Sequence, residues 1–275
     1  MPPDPRPAAR TGAAQGATSL GAGGRDAAAR IADILDRIRA QAPRVHCITN
    51  SVAQAFTANV LLAAGAIPSM TVAPEEVGEF VAQADAILVN LGTLDALRRE
   101  AAETAIEIAT DEGRPWVLDP AFIDRTAARA SFARRLLARN PRAIRMNRQE
   151  FATLAGREAA PDALVRFALD TLTVVGVTGP VDLVTDGPRL AALDNGHPLM
   201  ARVTALGCAG SALIAASLAV ESDPWAATTA GLAALGVAGE VAAAQARGPG
   251  SFQFALIDAV DALDRDTLSA RLRIV

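Results

Sequence analysis

The sequence predicts one α/β domain with a mostly parallel central sheet and helices on both faces. Short apolar runs of strand length recur along the chain, and stretches with helical spacing separate them. Strands that alternate with helices of about 10–15 residues are typical of a parallel sheet covered by helices. Residues 26–275 show no linker, so we predict a single domain over 25–275. Residues 1–24 are rich in Pro, Ala, Gly and Arg and predict a disordered tail, with a transit peptide as the lower-ranked alternative.

The elements of the first half follow from apolar spacing and from helix-end signals. Ile31, Ile34 and Ile38 recur at helical spacing, and Gly65 is suited to end a helix. Apolar runs of strand length lie between the helical segments. The pattern predicts helix 26–41, strand 45–49, helix 51–64, strand 67–72, a helix start at 74–76, strand 86–90, helix 94–111, strand 115–119, helix 131–140, strand 143–146 and a helix from 148.

The second half predicts a hairpin followed by helices. Strands 173–178 and 182–185 flank Gly179-Pro180, and Asp186-Gly187 is a turn signal that pairs the second strand with 190–193. After Cys208 the pattern is mostly helical through Ala246 and again over 252–263. Ligands of open α/β sheets bind at the carboxyl ends of the strands. This rule directs attention to residues 49–50, 70, 90–93, 119–120, 147–150 and 178–179.

Composition excludes several classes of function. The chain has a net charge of −4, and all 26 of its basic residues are arginine. Without lysine, neither a P-loop nor Schiff-base chemistry is available, so a protein that handles ATP must hold the phosphates in another way. We expect no nucleic-acid partner, since no basic patch with interleaved aromatics occurs. Cys47 and Cys208 form no disulfide framework, which fits the cytoplasm, and the interrupted apolar runs predict no membrane span.

A Gly-Cys pair heads a long helical segment of small residues. Residues 203–212 read V-T-A-L-G-C-A-G-S-A and place Gly207 and Cys208 at the helix start. Unpaired N–H groups and the helix dipole favour an anion there. We expect the Cys208 thiol to face that anion with a pKa lowered by the helix N-terminus. The alternative is packing, with Gly207 and Gly210 allowing close helix contact and Cys208 serving as a small buried hydrophobe.

Two carboxylates at strand ends are candidates for cation chemistry. Asp119 ends a buried strand before Pro120, which suits water-mediated Mg²⁺ binding or a plain turn. Asn147 and Glu150 lie three residues apart at a helix start, so their side chains share one face. The pair either forms a capping box or orders metal-bound water, and the capping box alone explains it.

Other polar residues at the strand ends have weaker signals. Arg145 lies in a strand and needs an anionic partner, either a phosphate or a carboxylate. Thr178 before Gly179 is suited to contact phosphate, although Thr-Gly alone is a turn. His46 and His197 belong to no catalytic triad or metal cluster, so we interpret both as structural.

Together these residues resemble a known plan for phosphorylating a hydroxyl without a P-loop. A strand-end Asp, N-x-x-E, Thr-Gly and a Gly-rich helix start occur in the order of ribokinase-like enzymes. Over residues 30–265 the chain resembles the hydroxyethylthiazole kinase family. The matching stretches are V-H-C-I-T-N-S-V (45–52), F-T-A-N-V-L-L-A-A-G-A (56–66), M-T-V-A-P-E-E-V (70–77), N-L-G-T-L (90–94), V-L-D-P (117–120), I-R-M-N-R-Q-E (144–150), V-T-G-P-V-D (177–182), V-T-D-G (184–187), D-N-G-H-P-L (194–199), G-C (207–208) and G-P-G-S-F-Q (248–253).

The resemblance implies a ribokinase-like fold and a reaction. It implies phosphoryl transfer from ATP, with Mg²⁺, to the hydroxyl of 4-methyl-5-(2-hydroxyethyl)thiazole in thiamine salvage. It also implies a cytoplasmic homotrimer with sites at the subunit interfaces. Carried over by motif, Asn50, Met70 and Ala205 bind the thiazole, Arg145, Asn147 and Thr178 bind ATP, Asp119 and Glu150 organise Mg²⁺, and Gly207 and Cys208 are catalytic.

Two segments depart from the family pattern where phosphate and substrate meet. Where the family has Gly-Ser/Thr-Gly-Cys, this chain has Ala205-Leu206-Gly207-Cys208. Where the family has D-P-V-G-V-G-A, this chain has D-P-A-F-I-D-R over 119–125. A Cβ at Ala205 crowds the hydroxyethyl group, and a positive φ there adds strain of about 1 kcal/mol or more. Two alternatives therefore stay open: a kinase of another small alcohol, and a binding protein without catalysis on the same scaffold.

Overall fold

The described part of the chain, residues 24–274 of the computed structural model, alternates helices and strands. Residues 1–23 of the predicted tail lie outside it, and Gly24 begins the first helix. The strands are β1 (Arg44–Ile48), β2 (Ile67–Ser69), β3 (Ala86–Asn90), β4 (Trp116–Asp119), β5 (Ala143–Asn147), β6 (Val174–Thr178), β7 (Asp182–Thr185) and β8 (Leu190–Leu193). The helices are α1 (Gly24–Gln41), α2 (Gln54–Ala63), α3 (Val77–Ala82), α4 (Ala96–Asp111), α5 (Ala127–Leu137), α6 (Arg148–Ala155), α7 (Pro161–Thr171), α8 (Leu206–Val220), α9 (Pro224–Gln245), α10 (Pro249–Asp261) and α11 (Arg265–Arg271).

One eight-stranded sheet organises these elements, in the order β2-β1-β3-β4-β5-β6-β7-β8. Strands β1 to β6 pair in parallel, and β7 and β8 add antiparallel strands at one edge. The predicted hairpin is confirmed: Gly187 takes a φ of 101° in the turn between β7 and β8, a conformation that glycine adopts at little cost. The mostly parallel α/β sheet is therefore as predicted.

Alternating strand residues build hydrophobic cores on both faces of the sheet. Val45 and Cys47 of β1 pack on one face with α1, α8 and α9. Ile48 of β1 and Ile87 of β3 pack on the other face with α3 to α7. Parallel strands that are buried on both faces have continuous apolar sequences, and this pattern made the strands recognisable in the sequence. A third cluster joins α2, α8, α9 and α10 and includes Phe56 and Phe252.

Helices α8 and α9 are the most apolar helices of the fold. Among the residues described, α9 has the length and composition needed to cross a membrane, but 83% of its apolar window is buried inside the protein. Core helices pass the same test of length and composition, and α9 packs against α8 and the sheet. The helical pattern predicted after Cys208 through Ala246 is confirmed, and it is divided into α8 and α9 at residues 221–223.

Several predicted boundaries are wrong, and local caps explain them. The helix predicted over 131–140 begins at Ala127, since the Thr126 side chain accepts a hydrogen bond from the Arg129 N–H. The start predicted at 74–76 is a turn before α3, and the strand predicted over 67–72 ends at Ser69. Helices α7 and α11 were not predicted. Pro161 at the start of α7 and the Asp264 cap of α11 were the available signals.

Candidate active site

A cavity of about 900 Å³ opens at the carboxyl ends of β5 and β6, beside the N-terminus of α8. Five of the ten predicted site residues line it: Arg145, Asn147, Thr178, Ala205 and Gly207. This is the edge of an open α/β sheet where ligands bind. The other predicted residues, Asn50, Met70, Asp119, Glu150 and Cys208, are not among its lining residues.

Arg145 holds its guanidinium against the start of α8. Its Nη2 donates to Thr178 Oγ1 at 2.7 Å, and its Nε has no hydrogen-bond partner in the part of the chain that the structure describes. A Cβ at Gly207 would lie 2.6 Å from Arg145 Nη1, so glycine allows the guanidinium to lie in this position. Across residues 24–274, no carboxylate forms an ion pair with Arg145. A fixed positive charge beside unpaired helix N–H groups is well suited to an anion.

Cys208 lies in a small polar cluster beside the cavity. Its sulfur accepts hydrogen bonds from Asn50 Nδ2 at 3.1 Å and Asn90 Nδ2 at 3.4 Å. Burial raises the pKa of the Cys208 thiol to about 12, and the negative charge of Asp119 adds to this. The expected lowering of this pKa is therefore wrong, because burial of the thiol is the largest influence on its pKa. The thiol is neutral near pH 7.

Asn90 ends β3, one of the strand ends to which the sequence directed attention, but it was assigned no role in the site. Its Oδ1 accepts from the Gly92 N–H at 3.0 Å and from Asn50 Nδ2 at 3.2 Å. A Cβ at Gly92 would lie 2.6 Å from Asn50 Cβ, so glycine lets the two amides meet. The available signal was a polar residue that ends a fully apolar strand, A-I-L-V-N, before a glycine.

Asp119 is buried at the end of β4 with one oxygen free. Its Oδ2 accepts from Ser211 Oγ at 2.8 Å, while Oδ1 has no hydrogen-bond partner among the described residues. Burial raises the pKa of Asp119, although Arg145 and the Ser211 hydroxyl oppose the rise. Ser211 also was not predicted, since it is one small residue in a helix of small residues.

Glu150 ties the loop after β4 to the start of α6. Its Oε2 accepts from the Asn147 N–H at 2.8 Å and its Oε1 from the Phe122 N–H at 3.0 Å. Asn147 Oδ1 accepts in return from the Gln149 and Glu150 N–H groups, which completes the capping box. Burial and the nearby Asp119 charge raise the pKa of Glu150. No cluster of three or more His, Cys, Asp or Glu suited to a metal occurs in residues 24–274.

Ala205 caps α8 in the left-handed conformation, with φ 71° and ψ −3°. The positive φ considered from the sequence is therefore present, and an alanine there costs about 1 kcal/mol or more. Phe122, in the second divergent segment, also has a positive φ of 62° and precedes a short 3₁₀ turn over Ile123–Arg125. Both segments border the polar groups described above.

Asp182 was assigned no role from the sequence and lines the cavity, whereas Met70 was predicted to bind substrate and lies outside it. Asp182 begins β7 and lines the cavity, with its Oδ1 accepting from the Gly179 N–H at 2.9 Å. Burial raises the pKa of Asp182 to about 6. The predicted residue Met70 is partly buried against the core on the β1 side of the sheet, and its carbonyl accepts from Gln54 Nε2 at 3.5 Å. Within one chain, Met70 and the cavity are separate.

A model of the hydroxyethylthiazole kinase family matches residues 35–266. The chain belongs to this family. A hydroxyethylthiazole kinase of Cereibacter sphaeroides is 48% identical over 253 residues, covering 87% of this chain and 96% of its own. A probable hydroxyethylthiazole kinase of Agrobacterium fabrum is 44% identical over 247 residues, covering 90% and 95%.

Solved structures agree with this assignment. A hydroxyethylthiazole kinase protein from Pyrococcus horikoshii OT3 superposes with a TM-score of 0.86 at 39% identity, covering 89% of this chain and 98% of its own. A ribokinase-like protein from Enterococcus faecalis, at 14% identity and a TM-score of 0.64, shares the fold alone. The predicted ribokinase-like fold and the predicted membership of the hydroxyethylthiazole kinase family are confirmed. The chain is accordingly a phosphotransferase with an alcohol acceptor, and its kinase activity implies ATP.

Proposed function

We propose that this chain transfers the γ-phosphoryl group of ATP to the hydroxyl of 4-methyl-5-(2-hydroxyethyl)thiazole, with Mg²⁺, in thiamine salvage. One observation carries the assignment of ATP to the cavity. Arg145, which forms no ion pair within the described residues, presents its guanidinium beside the N-terminus of α8 in a cavity of about 900 Å³. Phosphoryl transfer depends mainly on positioning and on neutralising charge, and both groups supply positive charge to phosphates.

The phosphate contacts follow from the residues at the cavity wall. Arg145 and Thr178 are already hydrogen-bonded to each other, so their donors are ordered before ATP arrives. The first N–H groups of α8, near Gly207 and Cys208, have no partner inside the helix and suit the moving phosphoryl group. Asn147 lies at the same wall and completes the proposed ATP contacts.

Mg²⁺ fits the carboxylates next to this wall. Among the described residues, Asp119 Oδ1 is a buried oxygen without a hydrogen-bond partner, and the Asp119 charge raises the pKa of neighbouring Glu150, so a cation would relieve the repulsion between the two carboxylates. Carboxylate oxygens, with several retained waters, are the usual protein ligands of Mg²⁺. When bound, Mg²⁺ would neutralise phosphate charge. Asp119 would hold it, and Glu150 would orient its water while keeping the capping box.

Cys208 acts in this proposal as a neutral thiol. Its sulfur already accepts two amide hydrogen bonds and is placed to accept one from the substrate hydroxyl. The hydroxyl oxygen bonds to the γ-phosphorus as the bond to the leaving ADP oxygen breaks. Because the transition state is loose, the hydroxyl proton leaves late, passes to an oxygen of the transferred phosphoryl group and then to water, and needs no strong base.

A homotrimer would complete the thiazole pocket. Asn50 and Met70, proposed to bind the thiazole together with Ala205, flank α2 and β2, where Val52, Leu62 and Ile67 are more than half exposed. Exposed apolar side chains on an edge strand and its neighbouring helix favour contact with a second copy of the chain. Since Cys47 and Cys208 are free and buried, we place the reaction in the reducing cytoplasm.

A second candidate acceptor is a different small alcohol. The observation that favours it is the left-handed Ala205, whose methyl group lines the cavity beside Gly207. The first experiment therefore offers purified protein ATP, Mg²⁺ and either the thiazole or a panel of small alcohols, with products read by mass spectrometry.

Variants of the proposed phosphate-binding residues test whether these side chains support the activity. We expect Arg145→Ala to lower kcat/KM by about 10²–10³-fold, because an ordered donor to the phosphates is lost. Arg135→Ala is the matched control, since Arg135 forms an exposed ion pair with Glu103 at 3.1 Å. Thr178→Val provides a milder test if Arg145→Ala fails to fold. Thiazole binding without any phosphorylated product would contradict the proposal and favour the binding protein.

A further inference from the structure

The cavity has a second wall that the reaction does not use directly. Residues 194–198 and Arg273 line it together with Arg145 and Thr178. Arg273 follows α11, beyond residues 35–266 that the family model matches. The C-terminal segment, residues 271–274, thus reaches the cavity from the end of the described chain.

Backbone hydrogen bonds fasten this C-terminal segment to the wall. The Asp194 N–H donates to the Arg273 carbonyl at 3.1 Å, and the Arg273 N–H donates to Asn195 Oδ1 at 2.8 Å. Asn195 Nδ2 donates to the Arg271 carbonyl at 2.8 Å, and Leu193 forms an antiparallel bridge with Ile274. The segment therefore continues the sheet edge beside β8.

Glu240 of α9 binds both the C-terminal segment and the wall formed by residues 194–198. Its Oε1 accepts from Arg273 Nη2 at 2.6 Å, from Asn195 Nδ2 at 3.0 Å and from the Gly196 N–H at 3.0 Å. The Glu240 side chain is 13% exposed, so these bonds are shielded from solvent on one side. Burial opposes ionisation, yet the Arg273, Gly196 and Asn195 donors outweigh it and hold the pKa of Glu240 below its usual range.

Two glycines of α9 let the wall pack closely on the helix. A Cβ at Gly236 would lie 3.0 Å from Asn195 Cβ, and one at Gly239 would lie 2.5 Å from Met200 Sδ. The position of residues 194–198 is therefore fixed from one side by α9 and from the other by Arg273. Within the loop, Gly196 adopts a φ of 137° that glycine takes at little cost, and His197 Nδ1 accepts from the Leu199 N–H at 3.2 Å.

We propose that residues 271–274 are a strap that fixes the 194–198 wall for ATP, with Arg273 as a positioning residue. This rests on the proposed function, in which the cavity takes ATP. A wall ordered before binding avoids the entropy cost of ordering it on the ligand. Releasing the strap therefore weakens ATP binding and leaves the transfer step unchanged, since Arg145, Asp119 and Cys208 take no part in the Arg273 network.

Arg273→Ala tests the strap. We expect the Kd of ATP from calorimetry and the KM for ATP to rise about 5–20-fold, because the wall must be ordered on binding. We expect kcat and the KM for the thiazole to stay within about twofold, since the contacts of the transfer step are retained. Arg273→Lys should recover part of the loss by restoring charge toward Glu240. Glu240→Gln should raise the Kd of ATP in the same way, because it weakens the same contact at its α9 end.

The outcomes separate the strap from the proposed function. Arg135→Ala, another exposed arginine paired with a glutamate, should leave the Kd of ATP unchanged. A raised Kd in Arg273→Ala supports the strap even if the wild-type chain phosphorylates no thiazole, which would overturn the proposed acceptor alone. An unchanged Kd, or a fall in kcat equal to the fall in kcat/KM, overturns the strap. Failure of the wild-type chain to bind ATP overturns both.

Discussion

At the scale of single residues, His46 is a buried polar side chain with hydrogen-bond partners at both ring nitrogens. It lies fully buried in β1, with Nδ1 2.8 Å from Ser69 Oγ and Nε2 3.1 Å from the Thr71 carbonyl. Because a carbonyl accepts, Nε2 carries the hydrogen and Nδ1 accepts from the Ser69 hydroxyl. Burial lowers the pKa of His46 to about 4, although the Thr71 bond opposes this. The ring holds the segment that carries Met70.

The lowered pKa of His46 predicts that the stability of the protein depends on pH. Between pH 4 and 6.5 the unfolded chain binds a proton at His46 that the native chain does not, so the free energy of unfolding should rise with pH across that window. Imidazole NMR signals provide the direct measurement, since the chain has two histidines. His197→Gln assigns the remaining signal to His46, which should stay neutral down to about pH 4. Titration of that signal near pH 6.5 would contradict the prediction.

Residue types and spacing predicted the polar site well but its electrostatics poorly. Arg145, Thr178 and Gly207 were found from strand ends and a helix start, and the structure brings them to one cavity. The thiol pKa of Cys208 was predicted in the wrong direction. Its value depends on burial and on Asp119, which is far away in the sequence and has no local signal.

At the scale of elements, the contact between α8 and α9 depends on one glycine. A Cβ at Gly231 would lie 2.7 Å from the backbone nitrogen of Ile214 and 2.9 Å from its Cα. Backbone atoms cannot move aside as a flexible side-chain end can. Because α8 carries Gly207, Cys208 and Ser211, this contact also sets the position of the site.

Gly231→Ala should therefore destabilise the protein. Alanine gains roughly 1 kcal/mol of helix propensity, but overpacking against backbone costs more, so we expect a net loss of about 1–3 kcal/mol. Gly250→Ala in α10 is the matched control, since a Cβ there meets nothing within 4 Å. It should be neutral or slightly stabilising. Chemical denaturation measures both, and equal stability of the two variants would refute the packing argument.

Elements were predictable where a pattern is strong and local. Strands β3 and β4 are continuous apolar runs, and the β7–β8 hairpin has a turn dipeptide, so all were found. Helix α7, which begins at Pro161, was not predicted because its cap residue is an alanine, whose side chain forms no capping hydrogen bond. The role proposed for the C-terminal strap was not predicted for another reason. It depends on contacts with Glu240 and Asn195 rather than on a pattern in the strap's own sequence.

At the scale of the whole molecule, the proposed trimer has a direct test. Light scattering of the wild-type chain should give three times the chain mass of 28.3 kDa. Leu62→Glu places a charge on a side chain that is 57% exposed beside β2, and it should lower that mass. Leu172→Asp is the control, because Leu172 is exposed at the end of α7, toward the opposite edge of the sheet. A wild-type mass of one chain would exclude the trimer.

The strand order also has a consequence for synthesis of the chain. From β4 onward every strand pairs with the strand that precedes it, so the sheet is able to grow in the order in which the ribosome releases it. The proposed phosphate-binding end of the cavity, however, needs α8, and the opposite wall needs Arg273, and both follow β8 in the sequence. A nascent chain that stops at β8 has every strand and no nucleotide site. If the cavity binds ATP as proposed, the growing chain gains that site only after α8 and Arg273 have been made.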